Sequence, residues 1–529
     1  MAAEQPSRPP AQQTGGKGFL ALLGTIVPVL AVTAVLLHPT QITVRQWADL
    51  VTGALGVGTS LAAHVPAVNL TVSDALLVLA FPLWLIVSGA RGTLGREVRL
   101  YPVALIVLFA VAALSAAGPL KPRALRMSAP VDYGRAAKQI IQLAIFFVCA
   151  YAVLVDYLSR PEWRGRLLAA FLIAAAAVLL VGLAEYARLR PPSPEAARGG
   201  ALISAARVDS TFGFVGEAAG AHEKVGTASN RNVLAAWVTL ALPLLWAVFL
   251  HGRRATLRAG ALVGSLAAGL LLLQAGLWAA ALLAVLALSF ARGRLAFALT
   301  AAGMLLFYGA LFSLGPQKQG CILLDSVMLH TEADAFRTLP IYEINPELDA
   351  SGEPGNLTRP PFSPWQQKYI EWQPALVALA HSPLLGVGVG NYQRAINQFY
   401  MPRHWDNYRM PVKATANLME TGANPFYAVW LAETGLVGLL GFFWLVASFL
   451  RDAARGAARE AASSEAPGGL VEALGGMSAL KRGACAALGA AAFGCLFTDY
   501  WVRGVGIAFV LVLAISAAAS APEAGAEAD

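Results

Sequence analysis

Apolar runs of roughly twenty residues recur along nearly the whole of this chain, and that is the length an α-helix needs to cross the hydrocarbon core of a bilayer. Within lipid every backbone N–H and C=O must be satisfied internally, so only helices and closed barrels can span. The runs here are continuous rather than alternating, which selects helices. Only 13% of the 529 residues are charged and 57% are hydrophobic, whereas soluble domains carry about 25% charge. The expected fold is therefore an all-α polytopic membrane protein. The formal net charge of +8 reads first as a topology signal and only then as a statement about partners. No nucleic-acid partner is expected. Of the four cysteines, Cys149, Cys485 and Cys495 lie in apolar runs and Cys321 stands alone. They form no disulfide framework and no metal-ligand spacing.

About twelve transmembrane helices are expected by this length rule, centred on 19–37, 72–90, 101–118, 138–156, 167–186, 232–250, 258–274, 276–291, 295–314, 425–450, 482–498 and 502–519. The segment 44–63, with Asp49 and many glycines, reads as re-entrant or interfacial. Residues 1–17 and 521–529 read as disordered tails. Between them lie an N-terminal bundle over 18–314, a large external loop over 315–424 and C-terminal spans over 425–520. The run after Lys17 is too long for a signal-peptide core and is kept as a span.

Positive charge orients the bundle. With the N-terminus inside, the inner loops carry Arg91, Arg96 and Arg99, then Arg160, Arg164 and Arg166, then Arg253, Arg254 and Arg258, then Arg292 and Arg294, then Arg451, Arg455, Arg459, Lys481 and Arg482. The opposite side receives 119–137, 187–231, the connection near Gln274 and the loop 315–424. The 119–137 segment is basic against the rule (Lys121, Arg123, Arg126, Arg135). That is either statistical noise or a set of cations facing anionic head groups.

The chain's polar material is concentrated in the large loop, and long loops with their own turns, charges and aromatics are usually functional. Residues 364–381 place Trp365, Tyr369, Trp372, Leu376, Leu379 and Ala380 at three- and four-residue spacings, an amphipathic pattern suited to the membrane interface. Gly386, Gly388 and Gly390 then allow tight turns and close backbone approach, and their N–H groups could cradle an anion. Arg394, Arg403, His404, Arg409 and Lys413 follow. They read either as a solvated face or as a funnel for an anionic glycan or diphosphate. In the second external loop, RVDSTFGF begins at Arg207. Further on, Asn230, Arg231 and Asn232 stand where the chain enters a helix, a position that suits a cap. Glu433 falls about two turns into the span that follows the large loop, and an ionisable group inside a span points to function or to a neighbouring cation.

HSPLLGVGVGNY (His381 to Tyr392), followed by NPFYAVWLAETGLVGLLGF (Asn424 to Phe442), resembles the O-antigen ligase and O-antigen polymerase superfamily. RVDSTFG and SNRNVLAAWVTLALPLL resemble that family's Arg-containing loop and the span after it. Lys368 and Trp372 stand where the family has Arg and then Trp. The resemblance covers roughly 200–445 in motif and the whole chain in topology. It implies a bacterial cytoplasmic-membrane protein with both termini cytoplasmic and the large loop periplasmic. The implied reaction is glycan transfer from a polyprenyl-pyrophosphate carrier to an acceptor hydroxyl, on lipid A-core, on another glycan repeat or, in some members, on a protein, with no metal or other cofactor. Cations would hold the pyrophosphate and stabilise departing charge, and a base would stand near the acceptor.

Arg207, carried over onto the family's loop Arg, and Asn424, at the family's His position, are candidate catalytic residues, together with His404 and Glu433 from the reading of the residues themselves. Arg231, Asn232, Lys368, Trp372, Gly386, Gly388, Gly390, Arg394, Arg403 and Arg409 are the candidate substrate-binding residues. Two departures matter. Asn424 stands where the family has His, and an amide accepts no proton at neutral pH. The mid-chain hairpin reads Gln274-Ala-Gly, where the family has Ser-Arg-Gly. Three accounts fit: another base (His404, Glu420 or Glu433), a dissociative reaction without a strong base, or a chain that binds lipid-linked glycan without transfer. A small-anion transporter is the alternative from a different class.

Overall fold

The computed structural model describes residues 14–40, 42–54, 70–94, 103–117, 133–188, 229–273, 278–314, 372, 375–376, 378–392, 426–462, 469–496, 500 and 505–518. Among them all regular structure is helical, apart from one isolated bridge between Thr43 and Thr71. The helices are α1 (Thr14–Leu37), α2 (Val44–Ala54), α3 (Val72–Ala90), α4 (Val103–Ala117), α5 (Tyr133–Ala144), α6 (Tyr151–Ser159), α7 (Pro161–Arg188) and α8 (Ser229–His251). They continue as α9 (Ala255–Leu273), α10 (Trp278–Arg292), α11 (Arg294–Leu314), α12 (Phe426–Ala462), α13 (Leu470–Ala473), α14 (Gly476–Gly494) and α15 (Gly506–Ala517). A π-helical turn over Ile145–Ala150 fuses α5 to α6. A helix thus stands over each expected span.

Seven described helical stretches are long and apolar enough to cross a membrane, and Val103–Ala116, Ala279–Arg292, Arg294–Ala310 and Gly506–Ala517 are shorter apolar helices. The protein is a multi-pass helical membrane protein.

Burial follows position in the bundle. α8 and α15 are apolar on every side and are almost wholly buried, as a helix enclosed by others must be. α11 is peripheral and leaves Leu295, Leu305 and Leu306 about three-quarters exposed. Without a hydrophobic drive between helices in lipid, close packing requires small residues. Gly483 of α14 supplies one such contact: a Cβ there would stand 2.9 Å from the Cβ of Ala247 on α8.

Within the segment 44–63, Val44–Ala54 form the eleven-residue helix α2. The chain leaves and returns at one point: Val44 N–H donates to Leu70 O (2.9 Å) and Val72 N–H to Ile42 O (2.8 Å). The excursion therefore does not carry the chain to the other side. α3 then starts with a capping box, in which Thr71 Oγ1 accepts from Asp74 N–H (3.1 Å) and Asp74 Oδ2 accepts from Thr71 N–H (3.3 Å).

The bundle has two chemically different ends. At one, Asp156 accepts from Trp84 Nε1 (2.9 Å) and from Arg160 Nε and Nη2 (3.0 and 2.6 Å). Arg164 is buried and donates to Leu158 O (2.6 Å) and Ser159 O (3.1 Å). It thereby satisfies carbonyls that the end of α6 leaves without helical partners. Arg253 pairs with Glu472 of α13, and Arg253 N–H bonds Ala473 O (3.0 Å). Arg160, Arg164 and Arg253, three of the arginines expected on one side by charge bias, thus lie at this end. At the other end lies the contact between the glycine-rich loop and α12.

Candidate functional site

α12 is broken. Gly435 adopts φ 67°, ψ −164° between two helical stretches. A break in a buried helix orphans carbonyls before it and N–H groups after it. Each polar group left so costs about 1–3 kcal/mol, and more within lipid. The segment Pro383–Gly388 supplies the missing partners. Val387 N–H donates to Ala432 O (2.8 Å) and Gly388 N–H to Glu433 O (2.9 Å). On the other side of the break, Leu436 N–H donates to Pro383 O (2.8 Å) and Val437 N–H to Leu384 O (3.3 Å). The loop lies through the break much as a strand lies beside its neighbour.

This fit is possible only with glycine at both faces. Gly386 has φ 65° and Gly435 has φ 67°, a region other residues reach only with strain. A Cβ on Gly386 would overlap the carbonyls of Ala432 and Glu433, and one on Gly435 would overlap the carbonyl of Leu384. Gly388 and Gly390 also have positive φ (101° and 80°). The loop closes on itself as well. Ser382 Oγ donates to Gly386 O (2.7 Å), and Asn391 Nδ2 donates to Val389 O (3.1 Å).

Glu433 sits in the last turn before the break and is 2% exposed. Its Oε1 accepts from Tyr392 N–H (3.1 Å), so the carboxylate fixes the far end of the glycine loop. Ser115 of α4 donates to Glu433 O (2.6 Å) and brings a third element to the break. Trp430 Nε1 donates across it to Gly438 O (2.9 Å).

The short helical stretch leading into the loop packs through small residues. Ala375 and Ala378 are fully buried against Ala428, Ala432, Val387 and Tyr392, while Leu376 is 53% exposed. The alanines face the protein because small side chains allow this close approach, and Leu376 faces out. Trp372 is half-buried and donates from Nε1 to Leu496 O (3.3 Å), tying the stretch to the end of α14.

Two amides of the expected anion cradle are already engaged. The N–H groups of Gly386 and Gly388 donate to Ser382 O (3.1 Å) and Glu433 O, and the three glycines are buried. In the structure Gly386 and Gly388 serve close backbone contact. Of the other expected site residues, Arg207, Lys368, Arg394, Arg403, His404, Arg409 and Asn424 lie outside the described residues. Arg231 and Asn232 lie in the first turn of α8, and their side chains are likewise not described. Glu433, Trp372 and the three glycines are brought together as one unit.

Sequence reasoning missed Ser115, Ser382, Asn391 and Gly435. Ser115 and Ser382 carry no sequence signal, since a lone serine is common anywhere. Gly435 carries a weak one, because a glycine two residues after an in-span glutamate marks a point where a helix can yield. No protein-family model matches this sequence, and no curated protein matches it. What the fold and site define is a multi-pass helical membrane protein with a discontinuous helix locked by a glycine loop.

Proposed function

We propose that this chain transfers a glycan from a polyprenyl-pyrophosphate carrier to an acceptor hydroxyl at the loop end of the bundle. The observation that supports this is the interlock itself. The two stretches carrying the resemblance to the O-antigen ligase and polymerase superfamily, PLLGVGVGNY and AETGLVG, form a single hydrogen-bonded unit. Stretches far apart in sequence, yet bonded to each other, behave as parts of one device.

In this reading the chain has twelve spans in a bacterial cytoplasmic membrane, both termini cytoplasmic and 315–424 periplasmic. The glycine loop and the broken helix flank 393–425 in the sequence. Arg207, with Arg394, Arg403 and Arg409, neutralises the carrier pyrophosphate. The acceptor oxygen bonds to the anomeric carbon as the bond to pyrophosphate breaks. The hydroxyl proton passes to His404, and the polyprenyl pyrophosphate departs with the electron pair. Glu433 serves as a positioning residue: it is buried and holds the Tyr392 amide. Asn424 orients the acceptor by hydrogen bonding.

The test is transfer from a labelled lipid-pyrophosphate glycan by protein purified in detergent. Arg207→Ala is expected to abolish transfer at normal protein level, and undiminished transfer would overturn the assignment of that cation. Asn424 favours a second reading, binding without transfer. If the wild type retains the donor but releases no product, and Asn424→His restores none, that second reading stands. Solute flux in liposomes without donor binding would instead support a transporter.

A further inference from the structure

The C-terminal end of α14 reaches the loop end of the bundle, and its carbonyls are claimed from outside the helix. The chain tightens there. Cys495 N–H still donates to Ala491 O (2.8 Å), but Leu496 N–H donates to Phe493 O (3.1 Å). Ala492 O thereby loses its helical partner, and Cys495 O and Leu496 O lie past the last turn.

Two residues take all three carbonyls. Tyr427 donates from its hydroxyl to Ala492 O (2.5 Å) and from its N–H to Cys495 O (3.2 Å). Trp372 donates from Nε1 to Leu496 O (3.3 Å). Both rings are held by packing, so their polar atoms are fixed in place. Tyr427 is buried, with ring centroids of Phe426, Phe442 and Phe443 at 5.9, 5.7 and 5.3 Å. Trp372 packs against the cluster of Ala375, Ala378, Ala428 and Ala432.

Ordinary capping explains why these carbonyls have partners. It does not explain where the partners come from. Trp372 and Tyr427 are the two borders of one segment, 373–426, which contains the glycine loop, Arg394, Arg403, His404, Arg409 and Asn424. A single helix end therefore fixes both limits of that segment. At the opposite end of the same two helices the contact is plainer: Ser478 Oγ of α14 donates to Ala457 O of α12 (2.9 Å) and encloses nothing of the site.

We infer that Trp372 and Tyr427 are positioning residues, which clasp the two limits of 373–426 to the end of α14 and so set the placement of the reacting groups within it. Their catalytic consequence rests on the transfer proposed above. Neither touches the donor in this role. Trp372, expected from sequence among the substrate-binding residues, acts through the protein instead. Displacing reacting groups by about 1 Å can cost about a hundredfold in rate, whereas donor affinity stays with the cations. The signature of such residues is a lower kcat at an unchanged KM.

The test compares full-length wild type, Tyr427→Phe, Trp372→Phe and Ser478→Ala in detergent. Transfer is measured with a labelled lipid-pyrophosphate glycan, and amide hydrogen exchange is measured without it. Both Phe variants are expected to lower kcat about tenfold, with the donor KM within about twofold of wild type. Exchange at the Tyr427 amide and over 375–382 is expected to quicken in both. Ser478→Ala is expected to lower the thermal midpoint while leaving kcat and that exchange unchanged. Unchanged exchange in the Phe variants overturns the clasp, whether or not the protein transfers glycan. Quicker exchange with wild-type kcat overturns the positioning role, as does a raised KM at wild-type kcat, which would mark a donor contact. An equal loss of kcat in Ser478→Ala also overturns it, since any loosening of α12 from α14 would then suffice. Quicker exchange in a protein whose wild type transfers nothing leaves the clasp standing and overturns the transfer reading alone. Should Trp372→Phe not yield monodisperse protein, Tyr427→Phe decides, because it removes one hydroxyl and keeps the ring.

Discussion

The two ends of the bundle are held together by opposite means. At the loop end, backbone meets backbone: four amides and four carbonyls pair across the break in α12, with two glycines making room. At the basic end, side chains do the work, with Arg160, Arg164 and Arg253 reaching carboxylates or helix carbonyls. A backbone lock depends on shape and admits almost no substitution. A side-chain network depends on charge and reach, can exchange partners, and tolerates change wherever water can replace the lost contact.

Substitutions should break this contrast unequally. Gly386→Ala or Gly435→Ala is expected to have the largest effect. Each forces a side chain into backbone that cannot move away, with positive-φ strain in addition, for a loss of about 4 kcal/mol or more. The expected outcome is little folded protein on detergent size-exclusion chromatography, and a normal monodisperse peak would show that the lock is not required. Asp156→Ala comes next. It leaves the Arg160 guanidinium and Trp84 Nε1 without their buried acceptor, at a cost of about 3 kcal/mol, read as a lowered thermal unfolding midpoint. Asp156→Asn should fall between that variant and wild type. Ser115→Ala removes one hydrogen bond to Glu433 O, about 1 kcal/mol, and sharpens the comparison by weakening the lock without touching its glycines. Arg253→Ala should be the mildest. Its side chain is 63% exposed and its pairing with Glu472 is screened by water, so about 0.5 kcal/mol is expected. An Arg253→Ala loss as large as that of Gly435→Ala would erase the distinction between the two ends.

The helical class and the place of each long apolar helix could be read from the sequence because each rests on a local property. A twenty-residue apolar run is already a helix in lipid, whatever surrounds it. The break in α12 could not be read in the same way. Gly435, Gly438 and Gly441 look alike in an apolar run, yet among these three only Gly435 leaves the helical region. What singles it out is the carbonyl of Leu384, supplied by a distant part of the chain. The flexibility of the glycine loop was legible, but sequence shows that amides can be presented and not which carbonyls will claim those of Gly386 and Gly388. Asp156 passed as the unremarked end of a span, since its meaning depends on Trp84 in another helix. The cationic residues on which the transfer reading depends, Arg207 and the 394–409 group, lie outside the described residues, so that part of the site stays a reading of sequence.

The reciprocal fit of Gly386 and Gly435 has a consequence for how such a chain can drift. Neither position can change first, because each glycine excludes a methyl group on account of the other strand's main chain, which no second substitution can trim. Compensation is therefore closed off, and the two sites are frozen as a pair. Descendants of this sequence can vary the charges, the span contents and the loop tips widely while these two codons stay fixed together.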